Sequence, residues 1–271
     1  MQVFSVIQGD SPIVLGQPHG GTHVPDAIAA RFNVTGGGLA DTDWHITRLY
    51  DGLLPGATVV ASNVHRYVID ANRDPAGVSL YPGQNTTTLV PLTDFDGQAI
   101  WTKGQEPSVD EIEARRVAYH APYHNALQAE LERVRAKHGV AILFDCHSIR
   151  SNIPFLFEGE LPIFNTGTNQ GTTCAPEIET AVDTIAQSSG MGAVLNGRFK
   201  GGWTTRHYGQ PDSGIHAIQM EISQRAYMHE TPPWAWDDAR AAVSRPHLQK
   251  MLETLNNLAL SGVIFPEGSK Q

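Results

Sequence analysis

The 271-residue chain is predicted to fold as an α/β sandwich around a mixed or mostly parallel sheet. Three observations carry that expectation. The apolar run 140–144 leads directly into Asp145-Cys146-His147-Ser148, the pattern of a central strand buried on both faces with polar groups at its C-terminal end. Strand-like and helix-like segments alternate along the chain, which favours βα units over separate all-α or all-β blocks. No composition break, internal repeat or low-complexity linker divides the sequence, so residues 1–271 read as one domain.

The elements follow in order. Residues 11–19 (SPIVLGQPH) begin as a short apolar run, a buried strand ending at Pro18-His19. Residues 57–61 (ATVVA) and 66–70 (RYVID) are further β-rich segments. Residues 75–106, rich in Gly, Pro, Thr and Asn, read as a long irregular excursion, and loops of that length usually serve function. Ser108-Val109-Asp110-Glu111 is a capping box that opens a helix. Tyr123, Leu127 and Leu131 recur at helical spacing, Gly139 closes the segment, and Pro122 predicts a kink or split. A helix over 177–188, a short strand at 193–195, an alternating strand at 215–222 and an amphipathic helix at 237–260 complete the pattern.

Composition excludes several classes. Nineteen Lys+Arg against 28 Asp+Glu gives a formal charge of −9, which disfavours nucleic acid and anionic membranes as partners. No run reaches the 18 or more apolar residues of a membrane span. The two cysteines cannot form a disulfide framework, and MQVFSVIQGDSP lacks the basic and apolar regions of a signal peptide, so a cytoplasmic protein is expected. The unusual feature of the composition is its 12 histidines.

In open α/β sheets ligands sit beyond the carboxyl ends of the strands. Two predicted strands end in histidine, at His19 and His147, and Asp41-Thr42-Asp43-Trp44-His45 lies between them. A lone strand-end histidine is more often structural than a ligand. Two of them beside acidic residues make a catalytic zinc site, with His19, His147 and one of Asp43, Asp41 or Asp26 leaving an open position for water. HExxH is absent; His23 and His45 are secondary candidates, while His138, His229 and His247 read as surface or helix-end residues. Arg66 and Asn72-Arg73 in HRYVIDANRDP, with Lys200, Arg206 and His207 in NGRFKGGWTTRHYG, form a basic set suited to a small carboxylate-bearing anion. The plainer role for such arginines is pairing with Asp70 or Asp74. Glu221, alternating with Ile218, Met220 and Ile222, is a carboxylate in a core strand; it is either a general base of raised pKa or a buried partner of Arg206 or Arg225.

The motifs PHGGTHVP, DTDWHITRLY, RYVIDANRDP, LYPGQNTT, DCHSIRSNIP, LNGRFKGGWTTRHYG and IQMEISQ, spread in this order over residues 11 to 230, resemble the N-formylglutamate amidohydrolase family. The resemblance implies a three-layer αβα sandwich like that of zinc carboxypeptidases and aspartoacylase. It also implies hydrolysis of N-formyl-L-glutamate, a small dianion, to formate and L-glutamate in histidine degradation. His19 and His147 would be metal ligands, with Asp43 of the DTDWH motif as the acidic ligand. Asn72-Arg73 would grip a substrate carboxylate, and Glu221 would activate water. Arg66 or Arg206 would hold the second carboxylate or stabilise the oxyanion, with Lys200 and His207 alongside. The chain departs from the carboxypeptidase-like pattern at Thr22, where an acidic ligand stands in the relatives, and from the family at His65 and Gly20, where Ser is commoner. The alternative is a carboxypeptidase-like amidohydrolase acting on another N-acyl amino acid or a γ-glutamyl peptide.

Overall fold

A computed structural model describes residues 2–79 and 85–266, so Leu80–Gln84 of the LYPGQNTT motif lie outside the described residues. Seven strands form one sheet: β1 (Phe4–Ile7), β2 (Ile13–Gln17), β3 (Thr58–Ser62), β4 (Ala141–Ile149), β5 (Phe164–Gly167), β6 (Ala193–Leu195) and β7 (Ile215–Ser223). Their order is β1-β3-β2-β4-β7-β5-β6. The β3, β2, β4 and β7 strands run parallel; β1 pairs antiparallel with β3, and β5 antiparallel with β7, giving the mixed, mostly parallel sheet expected.

The β4 strand is buried along its whole length, so it has no solvent face and its side chains alternate between two cores. Ile142, Phe144 and Cys146 pack with Ile13, Leu15, Ile218, Met220 and Ile222 on one face of the sheet. Helices α3 (Ile46–Tyr50), α6 (Pro176–Ser188) and α8 (Asp238–Ser261) cover that face. Ala141 and Leu143 face the other side, beneath α5 (Ala121–His138) and α7 (Trp203–Tyr208). Each fully buried aliphatic or aromatic side chain contributes about 1.5–3 kcal/mol. The three layers are therefore held by a sheet that is apolar on both faces.

The Ser108 side chain accepts from Glu111 N at 3.2 Å and caps α4 (Val109–Arg115), as the capping box requires. The segment does not break at Pro122. It widens into a π-helical turn, Arg116–His120, directly before Pro122 and continues as α5, a local register change that accommodates a residue with no N–H to donate. One predicted strand is corrected: residues 66–70 form a turn. Tyr67 N donates to His65 Nδ1 at 3.0 Å and Val68 N to His65 O at 2.9 Å, so the backbone bonds locally instead of joining the ladder. Two short helices, α1 (Asp26–Ala29) and α2 (Val34–Gly37), occupy the β2–β3 connection. Among the described residues of 75–106 no named element occurs.

The chain leaves β2 toward β3 on one side, and β4 lies on the other. This reversal opens a crevice at the carboxyl ends of β2 and β4, where His19 and His147 stand.

Candidate active site

Asp145 and His147 are two residues apart on β4 and so share a face. In the next strand Glu221 is the register partner of His147, and Gln219 that of Asp145. His19 follows the end of β2, and Asp43 is brought to it by the hydrogen bond from Asp43 N to His19 O, 3.1 Å. Gly21 permits the chain to pass against the end of β3, since a Cβ there would lie 2.3 Å from the carbonyl carbon of Asn63.

His19, Asp43 and His147, all buried, form a group able to hold a metal ion. The two Nδ1 atoms are 3.2 Å apart, and Asp43 Oδ2 lies 3.6 Å from that of His147 and 3.9 Å from that of His19. Two imidazole lone pairs cannot face each other at that distance without a proton or a cation between them. A tetrahedral zinc with bonds of about 2.0–2.1 Å spaces its ligands about 3.3 Å apart, so the donor set fits such an ion.

The opposite ring nitrogens are fixed by carboxylates. His19 Nε2 donates to Asp70 Oδ1 at 2.7 Å. His147 Nε2 lies 3.1 Å from Asp145 Oδ1 and 3.2 Å from Asn72 Nδ2. Asn72 Oδ1 already accepts from Thr204 N, so its Nδ2 is a donor. Asp145 Oδ1 is buried and makes no hydrogen bond among the described residues. His19, held at Nε2 by Asp70, thereby turns its Nδ1 lone pair to the common point, the carboxylate–histidine arrangement of metal sites; at His147 the Asp145 carboxylate stands at ion-pair distance and would accept the Nε2 proton when Nδ1 holds a metal. Burial and the neighbouring Arg66 hold His19 below the usual imidazole range. Burial also pulls His147 down, but Asp145 and Asp43 outweigh it and set the net direction upward.

Of the three acidic candidates, only Asp43 joins the histidines. Asp41 Oδ2 accepts from the Tyr67 hydroxyl at 2.8 Å and Phe95 N at 2.9 Å, while Asp26 is exposed on α1. Asp43 Oδ2 is held by Ser148 N at 3.0 Å, and Ser148 Oγ by the Tyr227 hydroxyl at 2.7 Å.

A cavity opens over this group. His19, His147 and Glu221 line it, together with Asn72, Arg66, Arg73 and Arg198. Arg66 donates to Asp70 Oδ2 at 2.7 Å and lies 3.7 Å from Asp43 Oδ1; its Nε is buried with no partner among the described residues. Asp70 thus joins His19 to Arg66. Burial pushes its carboxyl up, but Arg66, Arg73 and His19 outweigh that and hold it well below the usual range. Arg73 donates to Thr87 O at 2.8 Å and to Thr87 Oγ1 at 2.9 Å.

Glu221 pairs with neither Arg206 nor Arg225. Its Oε2 accepts from Gln219 Nε2 at 3.2 Å, and Gln219 Oε1 accepts from Gly202 N at 2.6 Å. Burial raises its carboxyl above the usual range, with His147 acting in the opposite direction.

Lys200, Arg206 and His207 do not line the cavity. Lys200 is exposed, Arg206 Nε donates to Gly201 O at 2.9 Å, and exposed His207 stacks on Trp203. Nor do the other motif histidines. His65 is buried against Thr42 and Tyr67, His45 bonds Trp234 O, and His23 is exposed. Gly20 accommodates Ile46, whose Cγ2 would lie 2.7 Å from a Cβ there.

Sequence reasoning gave no role to Asp145, Gln219, Arg198 and His120, took Asp70 only as a partner for the arginines, and placed His124 with the pocket-lining histidines, whereas neither His120 nor His124 lines the cavity. The last two bond Arg73 O (3.1 Å) and Ala71 O (2.7 Å), the carbonyls on either side of Asn72. The i, i+2 spacing of Asp145–His147 and of Gln219–Glu221 was a signal already present in the strand pattern.

The fold and the site together define an α/β enzyme of amidohydrolase type. The family model described as N-formylglutamate amidohydrolase matches residues 11–228. N-formylglutamate deformylases of Pseudomonas aeruginosa and Pseudomonas putida are each 42% identical to the chain over 256 residues, covering 94% of this chain and 96% of the relative. The crystal structure of N-formylglutamate amidohydrolase from Ralstonia eutropha JMP134 superposes with a TM-score of 0.80 at 25% identity, covering 97% of this chain and 100% of that one. A gene product of Agrobacterium tumefaciens shares the fold with a TM-score of 0.69 at 17% identity, covering 95% and 96%. The chain belongs to the N-formylglutamate amidohydrolase family.

Proposed function

We propose that this protein is a metal-dependent N-formylglutamate deformylase that releases formate and L-glutamate, in the cytoplasm, at the end of histidine degradation. The observation that carries the reading is the buried His19–Asp43–His147 group beside a cavity whose lining includes Arg66, Arg73 and Arg198. Two relatives at 42% identity bear the deformylase name.

Zinc is the metal we assign, because two imidazoles and one carboxylate in a three-donor set suit it, and it would supply Lewis acidity toward water and the formyl oxygen. Glu221, a buried carboxylate of raised pKa, takes a proton from the hydrolytic water and returns it to the leaving amine. Gln219 orients it through the Nε2–Oε2 hydrogen bond. Arg66 presents its unpartnered Nε to the negative charge that develops on the formyl oxygen. Asn72 and Arg73 hold a substrate carboxylate. Lys200, Arg206 and His207 have no place in this scheme, since their side chains stand off the cavity wall.

Elemental analysis of the purified protein, followed by assays on N-formyl-, N-acetyl- and N-formimino-glutamate, tests the proposal. About one zinc per chain and formate release lost on chelation and regained with zinc are expected. Full activity in a metal-free protein would refute the metal role, and preference for the acetyl or formimino compound would refute the substrate.

A further inference from the structure

We propose that His120 and His124 are positioning residues for the reaction, holding the Asn72 segment of the cavity wall by the two carbonyls that flank it; the role rests on the reading that Asn72 binds substrate. Neither imidazole lines the cavity. Both are buried, four residues apart and so on one face of the helix, with ring centres 4.3 Å apart. His120 ends the π-helical turn and His124 lies in the first turn of α5. Such a departure from regular helix is frequent at functional sites.

His124 Nε2 lies 2.7 Å from Ala71 O and His120 Nε2 lies 3.1 Å from Arg73 O. A carbonyl only accepts, so each Nε2 carries a proton. Burial holds both imidazoles below their usual range, so each is neutral and spends its one N–H on a carbonyl. The Tyr208 hydroxyl, 3.1 Å from His124 Nδ1, donates to the remaining nitrogen of that ring. A leucine would fill the same space at no polar cost; what the imidazoles add is the pair of N–H groups. Between the two held carbonyls, Asn72 N donates to Asp70 Oδ1 at 2.8 Å, its Oδ1 accepts from Thr204 N at 2.9 Å, and its Nδ2 lies 3.2 Å from His147 Nε2. A Cβ on Gly202 would stand 2.2 Å from that Nδ2, so the two segments are in close contact. The Trp203 ring packs on both imidazoles, with centroids 5.6 Å from His120 and 4.8 Å from His124. The histidine pair thus ties segments 71–73 and 202–204 to one helix, and misplacement of a positioning group by about 1 Å costs up to about 100-fold in rate.

The test is a double-mutant cycle on formate release from N-formyl-L-glutamate. His120→Leu and His124→Leu should each lower kcat/KM about 10–100-fold. His120→Gln and His124→Gln, which restore an N–H, should recover part of the loss. In an Asn72→Ala background the leucine substitutions should cost less than about threefold more, because the residue through which they act is gone. Amide hydrogen exchange at residues 71–73 should rise in the leucine variants while that of β4 stays at the wild-type level. Losses that multiply in the double variants, or wild-type exchange at 71–73, would overturn the positioning role in favour of general packing. A wild-type protein that releases no formate would overturn the deformylase reading instead, and the exchange data would then decide whether the pair holds the segment.

Discussion

Asp70 accepts the His19 Nε2 proton at 2.7 Å through Oδ1 and an Arg66 N–H at 2.7 Å through Oδ2. One buried carboxylate thereby sets the tautomer of an imidazole at the candidate metal site and restrains a guanidinium on the cavity wall. A buried charge is tolerated only when so partnered; breaking such a pair costs about 3–5 kcal/mol.

Asp70→Asn keeps the shape but removes the charge that fixes the His19 tautomer. Zinc affinity should fall about 10–100-fold, as it does when outer partners of metal-binding histidines are lost. Asp145→Asn should do the same through His147. Chelator competition on folded protein measures both, and unchanged affinity in both variants would remove these carboxylates from the metal site.

Glu221→Gln preserves the hydrogen bond with the Gln219 amide through its own carbonyl oxygen while abolishing the proton acceptor. The variant should retain its metal and lose about 10²–10⁴ in kcat, with a much smaller change in KM. Near-normal turnover at full metal content would exclude Glu221 as the base.

Gly202→Ala should impair substrate binding without unfolding the protein. The added Cβ would fall 2.2 Å from Asn72 Nδ2, so Asn72 and the adjoining Arg73 must shift. We expect kcat/KM to drop at least about tenfold, because misplacement of a positioning group by about 1 Å costs up to about 100-fold. Unaltered kinetics would show that Asn72 does not need this placement.

Stability should fall on mild acidification because of two histidines away from the metal group. Burial, aided by Arg66 and His19, holds His65 well below the usual imidazole range; burial, aided by His120, does the same to His124. Between the lowered folded pKa and the unfolded value of about 6.5 the unfolded chain binds more protons, so stability rises with pH in that window. It is fully present above about pH 6.5 and is lost as the pH falls below it. From pH 7.5 to pH 5 each histidine should account for up to about 2 kcal/mol. Denaturation curves should show His124→Gln to be less stable at pH 7.5 but flatter in its pH dependence; an equally steep profile would exclude His124 as a source.

Much of the architecture was legible along the chain. The fully apolar 140–144 run marked the strand that carries His147, the Ser108 capping box marked its helix, and the strand-end histidines were the two that converge. These signals are local: burial on both faces removes polar alternation, and a cap must stand next to the helix it closes. The RYVID segment was misleading for a local reason too. Its β-branched and aromatic residues are buried, as in a strand, but the ring of His65 takes up the backbone donor at Tyr67.

By itself, the sequence determined which residue types line the candidate site and which strands end there. Only the tertiary structure decided which side chains meet. Asp26, Asp41 and Asp43 are chemically alike and near in sequence, yet one faces solvent, one serves Tyr67 and one joins the histidines. Likewise Arg66 is bound into a carboxylate network, Arg206 points elsewhere, and Arg198 lines the cavity. Sequence periodicity reports which face of an element is buried. Convergence of side chains from separate strands depends on strand order, register and the path of the connecting loops, which exist only once the sheet is assembled.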